Sequence, residues 1–176
     1  MVKEKIAKGE KVIIWTIFVQ NAKELQLYLA QNGIKSELLI GEVEQADREL
    51  IIERFNEPND HTLQVLIANP FSVAESISLH KGCHNAIYLE RDYNCSNFLQ
   101  SKDRIHRVGL ASHQETNYYY LISKDSIDGV IQIRLAEKVQ RMEQIINQDI
   151  PLFVRINDSD ETDLIKALIE DYARRT

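Results

Sequence analysis

Residues 12–17 read Val-Ile-Ile-Trp-Thr-Ile, a nearly unbroken apolar and β-branched run. Such a run marks a strand buried on both faces, which is the habit of parallel sheets covered by helices. The chain on either side supports that reading. Residues 21–32 carry Ala22, Leu25, Tyr28 and Leu29 on one helical stripe, and Gly33 closes it. A second strand is expected over residues 36–40, broken by Gly41. Val43, Ala46, Leu50, Ile51 and Phe55 then recur at helical spacing until a turn-rich loop at residues 56–60. Further strands are expected at residues 63–68, 85–90 and 116–122, with an irregular segment over residues 69–80. Ser126 is placed to cap a long helix whose stripe is Ile127, Ile131, Leu135, Val139, Met142 and Ile146.

Strands alternating with helices at short intervals predict an α/β fold: a mostly parallel sheet between two helical layers. Ligands of such sheets gather beyond the carboxyl ends of the strands, here the loops after Ile17, Ile40, Ala68 and Glu90. Residues 1–150 are expected to form this domain. Residues 151–176 are read as an acidic linker followed by a C-terminal helical extension carrying Leu164, Ile165, Leu168, Ile169 and Tyr172.

Composition narrows the class. At 176 residues the chain suffices for one domain and a modest appendage. No apolar run approaches the roughly 20 residues of a membrane span, and nothing resembles a secretory signal, so no membrane partner and a cytoplasmic location are expected. Two cysteines, Cys83 and Cys95, do not make a disulfide framework. A formal charge of −6 argues against a self-sufficient nucleic-acid binder but not against a lobe that supplies part of such a site.

Residues 100–109 read Gln-Ser-Lys-Asp-Arg-Ile-His-Arg-Val-Gly. On a helix Gln100, Arg104 and Arg107 fall within roughly 60° of one another, opposite Phe98 and Ile105. Two guanidiniums on an anchored helix suit a phosphate-rich ligand, because each presents a fixed fork of donors. Gly109 supplies the stop.

An ordered set of motifs resembles the second RecA-like lobe of superfamily-two helicases, and most closely the Swi/Snf-type DNA translocases. It covers about residues 11–150. Lys-Val-Ile-Ile-Trp-Thr-Ile-Phe (11–18) is similar to the family's strand with a Ser or Thr near its end, here Thr16. Gly41, Arg48 and Glu53-Arg54-Phe55-Asn56 resemble its DG…R…FN block. Tyr88-Leu89-Glu90-Arg91-Asp92-Tyr93-Asn94 resembles its YDPxWN segment, and Gln100, Arg104, His106, Arg107 and Gly109 its QxxxRxHRxG block. The resemblance implies that Arg104 and Arg107 are arginine fingers acting on ATP across a cleft between lobes, with Gln100 positioning them or the attacking water. It also implies that Glu75 and Ser76 lie near nucleotide and that Thr16, Asn69 and Ser72 contact the nucleic-acid backbone.

Two departures stand out. The family's glycine-rich loop is replaced by Ala68-Asn69-Pro70-Phe71-Ser72-Val73-Ala74-Glu75-Ser76, and Leu110 stands where Gln usually follows the glycine. Both imply a divergent branch, expected to be bacterial. The 176 residues contain neither a GxxxxGK[ST] phosphate loop nor an Asp-Glu-x-His motif. ATP and Mg2+ are therefore expected in an intact two-lobe enzyme and neither bound to this chain alone. The expected partners are the N-terminal ATPase lobe and DNA, double-stranded. The isolated chain is expected to be inactive.

Other constellations compete. His80, Cys83, His84 and Cys95 supply soft ligands, but their spacing fits no standard zinc module, so no metal site is expected. Tyr118, Tyr119 and Tyr120 could stack on bases, yet a strand alternates their faces and core packing is favoured. Glu90 and Asp92 are read as strand-end acids that cap or orient the Gln100 helix. An RNA-directed helicase lobe is a rival reading, opposed by His106 and the Tyr93-Asn94 segment. A silent interaction module would have no need of Gln100, Arg104 and Arg107 together. A doubly wound nucleotide enzyme should show a glycine fingerprint after Ile17, and none is there.

Overall fold

The apolar run does what its composition requires. In the computed structural model, which describes residues 1–72, 77–106 and 115–147, Lys11–Trp15 forms β1 and every residue in it is buried. The other strands are β2 (Ser36–Leu39), β3 (Val65–Ala68), β4 (Cys83–Tyr88) and β5 (Asn117–Tyr120). They form one sheet in the order β2-β3-β1-β4-β5 with every pair parallel. β1 therefore lies at the centre, in register Ile13↔Leu66 on one side and Ile13↔Ala86 on the other.

Alternation along the strands divides the core in two. Ile13, Trp15, Leu66, Ala68, Ala86 and Tyr88 meet Phe55 of α3 (Gln45–Asn56), and Phe98 of α4 (Cys95–Asp103) packs against them. Val12, Ile14, Val65, Ile67 and Ile87 meet Ala22 and Leu29 of α2 (Val19–Gln31) on the opposite face. This is the expected α/β/α sandwich. Tyr118 and Tyr120 join the first cluster and Tyr119 the second, as strand alternation demands.

Several expectations are corrected in detail. A first helix, α1 (Val2–Ala7), was not expected; its Val2 and Ile6 pack on the second cluster, and Lys5 binds Glu10 at 3.0 Å. Its six residues are too few to show a period. Tyr28 and Leu50 belong to the expected stripes but are 61% and 58% exposed. α2 uses Ala22, Leu25 and Leu29 instead, and α3 uses Ile51, Ile52 and Phe55. α4 ends at Asp103 rather than continuing through Gly109.

From Ile122 the chain belongs to a second compact unit. Its described part is α5 (Ile127–Asn147), whose start is capped as expected: the Asp128 amide donates to Ser126 Oγ at 3.1 Å. Residues 151–176, with the expected linker, last helix and domain boundary, lie outside the described residues. Among the described residues no helix is long and apolar enough to cross a membrane.

The exit of α3 is a crowded junction. Lys11 is buried, and its ammonium donates to the carbonyls of Arg54, Phe55 and Glu57 at 3.2, 2.9 and 2.7 Å. A cation there satisfies carbonyls that the helix cannot and opposes its dipole. Burial holds the Lys11 ammonium below its usual pKa, so the three carbonyls must repay its desolvation. Gly82 approaches the same end so closely that a Cβ on it would lie 2.2 Å from the Phe55 oxygen. Gly82→Ala is therefore expected to cost about 3 kcal/mol and lower the thermal midpoint by roughly 10 °C, read by calorimetry.

Cys83 is fully buried at the start of β4, and its thiol donates to the carbonyl of Asn85 at 3.3 Å. Burial pushes that thiol up to about 12. Iodoacetamide at neutral pH should modify half-buried Cys95 and spare Cys83 until the chain unfolds, as mass spectrometry of labelled peptides will show.

Candidate functional site

The carboxyl ends of the parallel strands deliver their loops to one rim, and each is tied to its neighbour. The hydroxyl of Thr16, one residue past β1, donates to Glu90 Oε2 at 2.6 Å. The same oxygen accepts the Ile17 amide at 3.1 Å, and Oε1 accepts Asn21 Nδ2 at 2.6 Å. Glu90 thus grips the β1–α2 loop from the end of β4. This differs from the expected role at the Gln100 helix. That helix is started instead by Asn94, whose Oδ1 accepts the Asn97 amide at 3.1 Å, with Asp92 Oδ1 accepting the Asn94 amide at 3.1 Å.

Asn69 performs the equivalent task beyond β3. Its Nδ2 donates to the Ile17 carbonyl at 2.6 Å, while its Oδ1 accepts the Phe71 amide at 2.9 Å. Arg48 completes the rim by donating Nη1 to the Ser72 carbonyl at 2.7 Å, Nη2 to the carbonyls of Ile40 and Gly41 at 2.9 and 3.2 Å, and Nε to that of Val43 at 2.8 Å. One planar fork so joins the loops after β2 and β3.

These contacts revise the expected backbone-binding set. Thr16 and Asn69 are 0% and 4% exposed, and their polar atoms are spent within the rim. Through these bonds they join the loops of the rim to one another. Ser72 is half-buried, with its carbonyl held by Arg48. Sequence reasoning passed over Asn21 and left Arg48 and Glu90 without these roles. The signal was present in Glu90: an acid directly after an apolar strand needs local donors.

The second expected surface lies elsewhere. α4 leaves the rim and runs back along the sheet, since the strands it joins are parallel. Tyr88 Oη bonds Ser101 Oγ at 2.8 Å, and Ser101 Oγ donates to the Phe98 carbonyl at 2.7 Å, pinning the helix to β4. Burial raises the Tyr88 phenol far above its ordinary range, so it remains a neutral donor. Gln100 is exposed on this helix. Arg104 is not: it is 7% exposed, its Nη1 donates to the Ile77 carbonyl at 3.1 Å, and its own carbonyl accepts the Leu79 amide at 2.7 Å. The expectation of two solvent-facing arginines paired with Asp103 or Glu90 therefore fails for Arg104. Its guanidinium is used to fasten the end of α4 to the segment that enters β4. Arg107, Glu75 and Ser76 lie outside the described residues. Among the described residues no three His, Cys, Asp or Glu side chains converge as metal ligands.

Comparison with known proteins places this geometry. Residues 1–109 match the family model described as the helicase conserved C-terminal domain. The ATP-dependent helicase FUN30 of Saccharomyces cerevisiae is 31% identical over 145 residues, which is 82% of this chain and 12% of that protein. Helicase SWR1 of Cryptococcus neoformans is 28% identical over 149 residues, 85% of this chain and 12% of that protein. The crystal structure of the C-terminal part of the Fun30 ATPase domain superposes with a TM-score of 0.71 at 27% identity, covering 97% of this chain and 50% of that one. The chain spans about an eighth of the length of the two helicases. With its five parallel strands, its RecA-like likeness to the Fun30 lobe and a family match over most of its described sheet, the chain belongs to the helicase conserved C-terminal domain family.

Proposed function

We propose that this chain is the second RecA-like lobe of an ATP-dependent, Swi/Snf-like DNA translocase, active only when joined to a first lobe. The observation that carries the proposal is the anchoring of α4. Ser101 fixes the helix to β4, and Arg104 fastens its end to the segment that enters β4. Catalysis of phosphoryl transfer rests on positive charge held ready rather than on covalent chemistry, and a rigid support supplies that. In this reading Arg107 is the finger, Gln100 faces the nucleotide and Arg104 positions both. That division of labour replaces a pair of equivalent fingers.

The phosphates and Mg2+ of ATP would be held chiefly by the first lobe. The sheet rim is the surface assigned to nucleic acid, because its loops lie at the carboxyl ends of the strands and hold one another in place. Backbone contacts there would hold a strand without reading its sequence. Opening and closing of two lobes around ATP would move that strand.

The reading has a direct test in phosphate release. The isolated chain with ATP, Mg2+ and DNA should release none above buffer. In the two-lobe protein, Arg107→Ala should lower kcat about a thousandfold, whereas Arg104→Ala should also lower the thermal midpoint of the isolated chain. Phosphate release by the isolated chain that Arg107→Ala abolishes would sink the proposal.

A further inference from the structure

Asn32 and Gly33 form the only Asn-Gly pair in the sequence. They end α2 just before β2 begins, at the end of the sheet opposite the rim. The helix end calls for both residues. Gly33 has φ +74°, a left-handed conformation that glycine adopts without strain. It lets the Gly33 amide donate to the Ala30 carbonyl at 3.0 Å and the Ile34 amide to the Leu29 carbonyl at 2.9 Å, which closes the helix. Asn32 Nδ2 donates to the Tyr28 carbonyl at 2.9 Å, and Asn32 Oδ1 accepts the Lys3 ammonium of α1 at 3.0 Å. Both residues are exposed, and no atom beyond their chain neighbours lies within 4 Å of where a Gly33 Cβ would stand. Water therefore reaches this junction.

We propose that Asn32 is a modification site, converting to aspartate and isoaspartate through a cyclic imide when the end of α2 opens, and that the bond from Lys3 governs how often it opens. The Gly33 nitrogen loses its proton to solvent base and attacks Asn32 Cγ. The Cγ–Nδ2 bond breaks and ammonia leaves with a proton from solvent. Water then opens the imide at Cγ to give aspartate, or at the main-chain carbonyl to give isoaspartate. One water enters, one ammonia departs, and nothing is oxidised or reduced. The folded helix end holds this step back. At ψ 11° the Gly33 nitrogen nearly eclipses the Asn32 nitrogen, whereas closing a five-membered ring needs it to eclipse Cβ. The bonds to Ala30, Tyr28 and Lys3 must part before Asn32 can turn. The two products differ in consequence. Aspartate keeps the main chain, replaces the donor to Tyr28 by a carboxylate at the carbonyl end of the helix, and pairs with Lys3. Isoaspartate adds a carbon to the main chain directly before Gly33, which breaks both closing bonds and displaces Ile34 from the second apolar cluster.

The test incubates the full chain, folded and in urea, at neutral and at mildly alkaline pH. Mass spectrometry follows the tryptic peptide of residues 24–35, and an isoaspartyl methyltransferase marks the isoaspartate. Conversion should be about 10- to 100-fold slower in the folded chain than in urea, as the opening of a few exposed hydrogen bonds requires. It should be faster at the higher pH, because the attacking nitrogen must shed its proton. Lys3→Ala should raise the folded rate about 2- to 5-fold and leave the rate in urea unchanged. Asn32→Gln should abolish the mass gain. Emission of Trp15, the single tryptophan and buried in β1, verifies folding of each variant. An Asn32 still intact in the folded chain after about a hundred half-times of the unfolded one overturns the site. Equal rates folded and in urea overturn the control by the helix end, and a folded rate untouched by Lys3→Ala overturns the part of α1.

Discussion

Burial of β1 on both faces is the constraint from which the rest of the lobe follows. A strand with helices above and below can have no polar side chain in its middle, and Val12 to Trp15 are all at most 3% exposed. Polar chemistry is then confined to the strand ends. Each buried donor or acceptor there must find a partner inside the protein or cost several kcal/mol. Thr16, Asn69 and Glu90 are the solutions at the carboxyl end, and Lys11 is the solution at the other. The polar contacts of the rim gather where the buried strands end.

Such internal pairing separates framing from contact. A hydroxyl or amide near a ligand surface is readily taken for a ligand group, but one committed to a 2.6 Å bond within its own lobe has another use. The same holds at the end of α4, where the buried Arg104 guanidinium donates to the Ile77 carbonyl. In both places a buried polar side chain fixes the course of the backbone beside it.

The fold was legible because its signals are collective. Five strands and their connecting helices follow from runs of β-branched residues and from glycine stops, which no single side chain can undo. What was not legible depended on tertiary partners. The register of Arg104 in a helical wheel matched a polar working face, yet the wheel cannot show the Ile77 carbonyl that draws the guanidinium inward. Tyr28 and Leu50 fitted apolar stripes but lie just outside the arc that meets the sheet. α1 is held by Lys5 on Glu10, which in turn accepts from Asn85, a partner distant in sequence and invisible to periodicity.

The ammonium of Lys11 has a bearing on how the lobe comes together. It opens the central strand and closes the carbonyl end of α3, joining Lys11 to Phe55 across a separation of 44 residues. Local bonds from the Glu57 amide close the last turn of α3, and the Lys11 ammonium adds the donor from β1 that the Phe55 carbonyl uses. Helix completion is thereby coupled to the closure of a long loop, whose entropy must be met before the contact rewards it. The central strand and the end of the helix beside it thereby depend on each other for the pairing of their polar groups.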